Sequence, residues 1–387
     1  MALLEPVSGD DPRVVLRALR AALSGAGPAL GLGSDARGDV PAGTAAVVTT
    51  SGSSGYPKSV VLSRHALTAS AMATSARLGE GAWLLALPAQ YVAGLQVLVR
   101  ALVSGHEPSI LAGSFSPRAF AAAALSMTSS VGGDSIPRFT SLVPAQLLTL
   151  LDAAESDEAV SRSLRSFEAI LIGGQALPAR VRERANAAGA RIVRTYGSSE
   201  TSGGCVYDGR ALDDVSLRIV DGEVQITGPT LAEGYLGVPE RTAKAFITDA
   251  LGTRWYRTGD AGRLEDGLLH IDGRTDNVII SGGINVSLDR VETAVRAVAG
   301  WESAVVIAAT DARWGEASVV VIARTRAVET PDFTKVRAAV GELLGAPARP
   351  ARVLAVDEIP MLPSGKPDRV ALRAIVASGA QNGDHPA

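Results

Sequence analysis

Short apolar runs alternate with longer segments of helical period through the first half of this chain. Residues 45–48 (Ala-Ala-Val-Val) read as a strand, and so do 83–87, 139–143, 169–172 and 191–194, each short and bounded by turn residues. Residues 92–103, 117–125 and 144–151 read as helices, the last with Pro144 in its first turn. Further helices start near Arg64 and near Pro178, while residues 1–40 hold a short helix-like pattern (Val14, Val15, Leu19, Leu23) and a Gly/Asp-rich connector. This alternation predicts an α/β fold of mostly parallel sheets flanked by helices, with ligands bound beyond the strand C-termini.

The texture changes after Tyr196. Close-spaced short strands with turns at Asp221-Gly222, Asp266-Gly267 and Asp272-Gly273 predict an antiparallel β subdomain over about 207–273. The remainder reads as a small α+β domain: helices at 287–298, 333–344 and 368–376, and strands at 304–309, 317–323 and 353–356. At 387 residues the chain exceeds what one core usually serves, and the expected division is 1–275 and 276–387.

Composition narrows the function classes. Net charge is −3, which leaves no electrostatic footprint for nucleic acid or an anionic membrane. A single cysteine, Cys205, permits no intrachain disulfide, and no run of roughly 18 apolar residues occurs. These features point to a cytoplasmic enzyme or binding protein.

The candidate chemistry sits in polar loops. Thr50-Ser51-Gly52-Ser53-Ser54-Gly55-Tyr56-Pro57-Lys58 follows the first strand-like run and precedes a helix-like segment. Its backbone N–H groups and hydroxyls can wrap phosphate oxygens, and Lys58 adds a cation; read alone, it is equally a flexible turn. It is not a Walker A loop, because Pro57 stands where that motif needs glycine. Tyr196-Gly197-Ser198-Ser199-Glu200-Thr201 offers a hard carboxylate suited to Mg2+ and a ring that can stack on a base. Asp260 can accept from ribose hydroxyls, and Lys366, in a Pro/Gly loop, can neutralise charge at a reacting phosphoryl centre. Each of these stretches alone also reads as a solvated turn. The four histidines lack metal-ligand spacing, and no Gly-x-Ser-x-Gly elbow is present.

Taken in order, Thr50–Lys58, Gly173-Gly174-Gln175, Tyr196–Thr201, Trp255–Asp260, Arg274–Asp276 and Gly365-Lys366 resemble the core motifs of the adenylate-forming superfamily, from about Ala45 to Arg369. Within it the chain is most similar to the o-succinylbenzoate–CoA ligases of menaquinone synthesis, through 87–96, 140–147 and 202–209, although it is short at its N-terminus and carries Tyr91 where many relatives have histidine. The resemblance implies ATP and CoA as co-substrates, Mg2+ as cofactor, a small aromatic carboxylic acid as the third partner, and commonly a dimer. It implies that Thr50 to Lys58 hold ATP phosphates, that Glu200 binds Mg2+ beside Thr201, and that Gly174, Gln175, Tyr196 and Gly197 flank adenine. Asp260 and Arg274 would take ribose, and Lys366 would bridge carboxylate and α-phosphate. Asp276 would be the hinge of a mobile C-terminal domain. Ser281, Gly282 and Gly283 would line the CoA path. Tyr91, Thr140, Gly173, Ser198 and Ser202 are the candidates for holding the acid.

Overall fold

The computed structural model describes residues 1–50, 57–111, 113–127, 130–131, 133–311, 313–324 and 332–379. One seven-stranded sheet feeds two cores. Along Ala82–Leu85, Ala82 and Leu84 join one cluster of buried side chains while Trp83 and Leu85 join another. Ala169–Ile172 alternates in the same way, as the period of two requires. Its centre is parallel, as expected: Ala82–Leu85, Arg138–Leu142, Ala169–Ile172 and Ile192–Ser198 pair in that order. Gly203–Tyr207 and Arg210–Ala211 close one edge antiparallel. Helices Pro117–Leu125, Pro144–Ala154, Glu158–Arg165 and Ala179–Ala187 cover the outer face.

Helices Pro12–Ser24, Arg64–Leu78 and Val92–Val103 share the inner core with a second sheet. That sheet corrects the expectation of mostly parallel pairing. Its order is Gly234–Tyr235, Lys58–Ser63, Thr44–Thr50, Ala29–Leu32, Ala2–Pro6, Gly38–Val40, and only the pairs among Ala2–Pro6, Ala29–Leu32 and Thr44–Thr50 are parallel. Its strands Ala2–Pro6, Ala29–Leu32 and Gly38–Val40 leave little trace in the sequence, because they are short and carry glycine or proline, which weaken any strand signal. The helix after the phosphate loop begins at Arg64, as expected, but the residues before it, Lys58–Ser63, form a strand the pattern did not signal, paired antiparallel with Thr44–Thr50.

Ser216–Val220, Glu223–Thr227, Arg254–Glu265, Phe246–Thr248 and Leu268–Arg274 form an antiparallel sheet. An unanticipated short helix, Pro239–Ala245, interrupts this region. From Val278 onward another five-stranded sheet packs against helices Leu288–Arg296, Phe333–Leu344 and Arg369–Gly379. Among the described residues, the buried clusters that end at Leu269 share no member with those that begin at Ile279. No helix among them is long and apolar enough to cross a membrane.

Candidate active site

The candidate polar residues gather at the C-terminal ends of the parallel strands Ala169–Ile172 and Ile192–Ser198. Ile192–Ser198 runs on through Tyr196 and Gly197, which therefore sit in a strand rather than in the loop after it. The strand ends in a tight turn whose N-cap is Ser198. Ser198 Oγ accepts from Glu200 N at 3.2 Å, and Thr201 Oγ1 accepts from Ser198 N at 2.8 Å. Thr201 Oγ1 also lies 2.7 Å from Gly203 O, its acceptor. Gly197 is obligatory here, since a Cβ would stand 2.1 Å from Gly203 O across the bulge. Gly197→Ala should therefore cost about 1–3 kcal/mol of stability, by overpacking against backbone that cannot move aside. An unchanged melting temperature would contradict this.

Glu200 is buried at the bottom of the turn. Its Oε1 accepts from Tyr235 Oη at 2.8 Å and stands 3.9 Å from Lys58 Nζ, which lies 5.6 Å from the Tyr235 ring centre. Burial lowers the Lys58 pKa, and Glu200 partly opposes this. Burial, reinforced by Glu200, holds the Tyr235 hydroxyl well above its ordinary range. Sequence reasoning missed Tyr235, which is brought beside Glu200 by pairing with Val60 in the hairpin strand that begins at Lys58. Among the described residues no group of three or more His, Cys, Asp or Glu side chains could hold a metal. One carboxylate fits an Mg2+ whose remaining ligands are phosphate oxygens and water, and does not fit an all-protein cage.

A second group gathers around Asp260. Tyr196 Oη donates to Asp260 Oδ2 at 2.6 Å. Arg274 stands opposite Asp260 in the strand register and donates to Thr258 O at 2.8 Å, Asp260 Oδ1 at 3.3 Å and Asp276 Oδ1 at 3.0 Å. Burial raises the Asp260 carboxyl despite these donors, while the Arg274 bond holds Asp276 low. Each carboxylate oxygen carries two lone pairs, so Asp260 keeps acceptor capacity for a ligand hydroxyl.

The C-terminal loop that carries Lys366 meets Gly174 and Gln175. Gln175 Nε2 donates to Gly365 O at 3.4 Å. Gly174 adopts φ +83°, and a Cβ there would meet Lys366 Cε at 3.5 Å. Lys366 is exposed to solvent on this loop, although protein crowds its surroundings. That crowding lowers its pKa, opposed by the charges of Glu200 and Asp260. A lysine so shifted loses its charge as pH rises, earlier than a free lysine does. The kcat/KM profile of a reaction that needs this cation should therefore fall on an alkaline limb below the ordinary lysine value of 10.5. A limb at or above that value would contradict the crowding.

Other expected residues lie elsewhere or are already engaged. Ser51, Gly52, Ser53, Ser54 and Gly55 lie outside the described residues. At the ends of that loop, Thr50 Oγ1 reaches Lys58 O at 3.5 Å. Thr140 is buried within the sheet and donates to Leu84 O at 2.9 Å. Ser202 is likewise withdrawn, fully buried with its hydroxyl donating to Thr230 O at 2.8 Å. Gly173 packs on Thr195, whose Oγ1 would stand 2.5 Å from a Cβ there. Tyr91, half-buried, begins the helix Val92–Val103. Ser281 is buried, and Gly282 and Gly283 make the exposed turn of a hairpin, with Gly282 N donating to Trp314 O. Cys205 is packed in the core, where burial pushes its thiol up to about 12.

The helix Val92–Val103 is buried nearly all round, yet it carries Gln96 and Arg100 one turn apart on one face. Gln96 packs beneath Gly203, directly after the Glu200 turn, with its Cγ 3.2 Å from where a Cβ would stand. Arg100 is 4% exposed, donates to Tyr207 Oη at 3.2 Å and lies 5.1 Å from the Trp83 ring centre. Among the described residues no carboxylate pairs with Arg100, and its Nε and Gln96 Oε1 have no hydrogen-bond partner. Two polar residues four apart in an otherwise apolar helix were the sequence signal for this pair.

The chain matches the family model for AMP-binding enzymes over residues 24–236 and that for the AMP-binding enzyme C-terminal domain over 290–366. A probable 2-succinylbenzoate–CoA ligase of Mycobacterium tuberculosis is 38% identical over 389 residues, covering 96% of this chain and 97% of the relative. A 2-succinylbenzoate–CoA ligase of Geobacillus kaustophilus is 30% identical, covering 87% of this chain and 70% of its own. The solved o-succinylbenzoate CoA synthetase of Bacillus subtilis, in complex with the acyl-adenylate intermediate, superposes with a TM-score of 0.68 at 25% identity, covering 85% of this chain and 69% of that one. With both family models matched and similarity to one relative extending nearly end to end, the chain belongs to the AMP-binding, adenylate-forming enzymes.

Proposed function

We propose that the protein is an ATP-dependent acid–CoA ligase that converts 2-succinylbenzoate, ATP and CoA into 2-succinylbenzoyl-CoA, AMP and diphosphate, a step of menaquinone synthesis in the cytoplasm, where both co-substrates are held. The observation that carries this reading is that polar groups from distant parts of the chain come together: Glu200 beside Lys58 and Tyr235, Tyr196 and Arg274 on Asp260, and the Lys366 loop against Gly174 and Gln175. The similarity to 2-succinylbenzoate–CoA ligases supports the choice of acid.

A carboxylate is a poor electrophile. In the first half-reaction its oxygen attacks the α-phosphorus of ATP and diphosphate leaves; in the second the CoA thiolate attacks the acyl carbon and AMP leaves. Most of the help the protein gives is positioning and charge neutralisation. Lys58 and the loop before it hold phosphates, Asp260 takes the ribose hydroxyls, and Tyr196 flanks adenine. Lys366 bridges the attacking carboxylate and the α-phosphate. Glu200 would hold Mg2+, which supplies further neutralisation of phosphate charge when bound. Asp276 is the pivot on which residues from 276 onward turn between the half-reactions, bringing the Ser281–Gly283 turn to the CoA path. The second carboxylate of 2-succinylbenzoate needs a cation, and Arg100 supplies it, with Gln96 between it and the Glu200 turn. Burying an unpaired cation is costly, and a ligand carboxylate removes that cost.

Diphosphate release across aromatic dicarboxylic, benzoic and fatty acids, with and without CoA and with the thioester identified by mass, tests this. Release without any thioester would move the acceptor away from CoA. A preference for fatty acids would remove the assigned substrate.

A further inference from the structure

Lys366 sits on a five-residue turn with a flexible side chain, so its reach depends on what fixes the base of that turn. Leu362 N donates to Lys366 O at 2.7 Å and Gly365 N to Leu362 O at 2.9 Å, with Gly365 at φ +78° closing the bend. Just past the turn, Arg369 Nη1 donates to Val306 O at 2.8 Å and Nη2 to Glu292 Oε2 at 2.6 Å. The same Glu292 oxygen accepts from Val306 N at 2.9 Å, while Oε1 lies 3.0 Å from Arg296 Nη2. Glu292 is buried, so this is a carboxylate with every strong donor accounted for by three separate elements.

The helix that carries Glu292 also carries Asp289, three residues earlier and on the same face. Asp289 accepts from Arg274 N at 2.7 Å and from Asn277 Nδ2 at 2.8 Å, on either side of Asp276. One helix, Leu288–Arg296, is thus tied at one turn to the Arg274–Asn277 segment and at the next to the residue that ends the Lys366 turn. Nothing in the reaction needs Arg369 or Glu292 to touch substrate. Resting on the ligase reading above, we propose that Arg369, clasped by Glu292, is a positioning residue that holds Lys366 at the reacting carboxylate, and that it acts in the adenylation half-reaction only.

The test uses the full chain and follows the half-reactions separately: diphosphate release from 2-succinylbenzoate and ATP, and thioester formation from prepared acyl-adenylate and CoA. Arg369→Gln and Glu292→Gln are expected to slow adenylation about 10- to 100-fold, since displacement of a catalytic group by about 1 Å costs on that order. Thioester formation should stay within about 3-fold of wild type by the same reasoning. In a Lys366→Ala background Arg369→Gln should add almost nothing to the adenylation loss, because both changes remove one interaction. Arg369→Lys, which keeps a cation, serves as the folded control if Gln lowers the melting temperature, and should recover part of the adenylation rate. Losses equal in both half-reactions, or an undiminished loss on top of Lys366→Ala, overturn the proposal and leave a purely structural clasp. Acetic anhydride labelling across pH gives a readout that needs no turnover. Lys366 should label at lower pH in wild type than in Arg369→Gln; no shift overturns the positioning role. A wild-type chain that releases no diphosphate with any acid, yet shows that labelling shift, overturns the ligase reading and keeps the clasp.

Discussion

Lys366→Ala should lower the rate of adenylation by about 100- to 1,000-fold, the loss typical of deleting one preorganised group that stabilises transition-state charge. Conversion of prepared acyl-adenylate and CoA to thioester should be nearly unaffected, because no phosphoryl transfer remains to be stabilised. The fold should survive. The turn around Lys366 is held by backbone bonds from Leu362 N and Gly365 N and by Asp368 N to Pro360 O, none of which uses the lysine side chain. Stopped-flow diphosphate release and thioester formation, measured on the same preparation, check it. Equal loss of both steps in a folded variant would remove Lys366 from the role assigned here.

The second large effect concerns Arg100. Arg100→Met should lower kcat/KM for 2-succinylbenzoate about 100-fold, equivalent to roughly 3 kcal/mol for a charge-assisted pair in a buried site. Aromatic acids without the second carboxylate should lose little, so the ratio between the two substrates is the diagnostic quantity. Stability should move the other way or not at all. Replacing a buried, uncompensated guanidinium by an apolar side chain of similar length relieves a desolvation penalty, and it leaves Tyr207 bonded to Thr74 at 2.9 Å. A uniform loss of activity on both acid classes, together with a lower melting temperature, would make Arg100 a core-packing residue through its contact with Trp83. Arg100→Lys is not a conservative control, since an ammonium cannot offer the planar fork to a carboxylate.

Both predictions concern side chains whose meaning depends on depth. The parallel centre of the large sheet is legible in the apolar pattern alone, because uniformly apolar strands separated by helical periods have few other ways to bury themselves. The antiparallel subdomain follows from its Asp-Gly turns, and the order of the polar loops carries the resemblance that nominates residues for ATP. The sequence could not determine what each polar group would meet. Thr140, Thr201 and Ser202 have the same chemistry as hydroxyls that bind ligands, but backbone carbonyls at Leu84, Gly203 and Thr230 claim them first. Tyr235 reached Glu200, and Asp289 reached both Arg274 and Asn277, through pairings that no local pattern encodes. Arg100 stands between Tyr207 and Trp83 with no carboxylate paired to it among the described residues, and no linear pattern could show this, because an uncompensated charge is a property of everything packed around it.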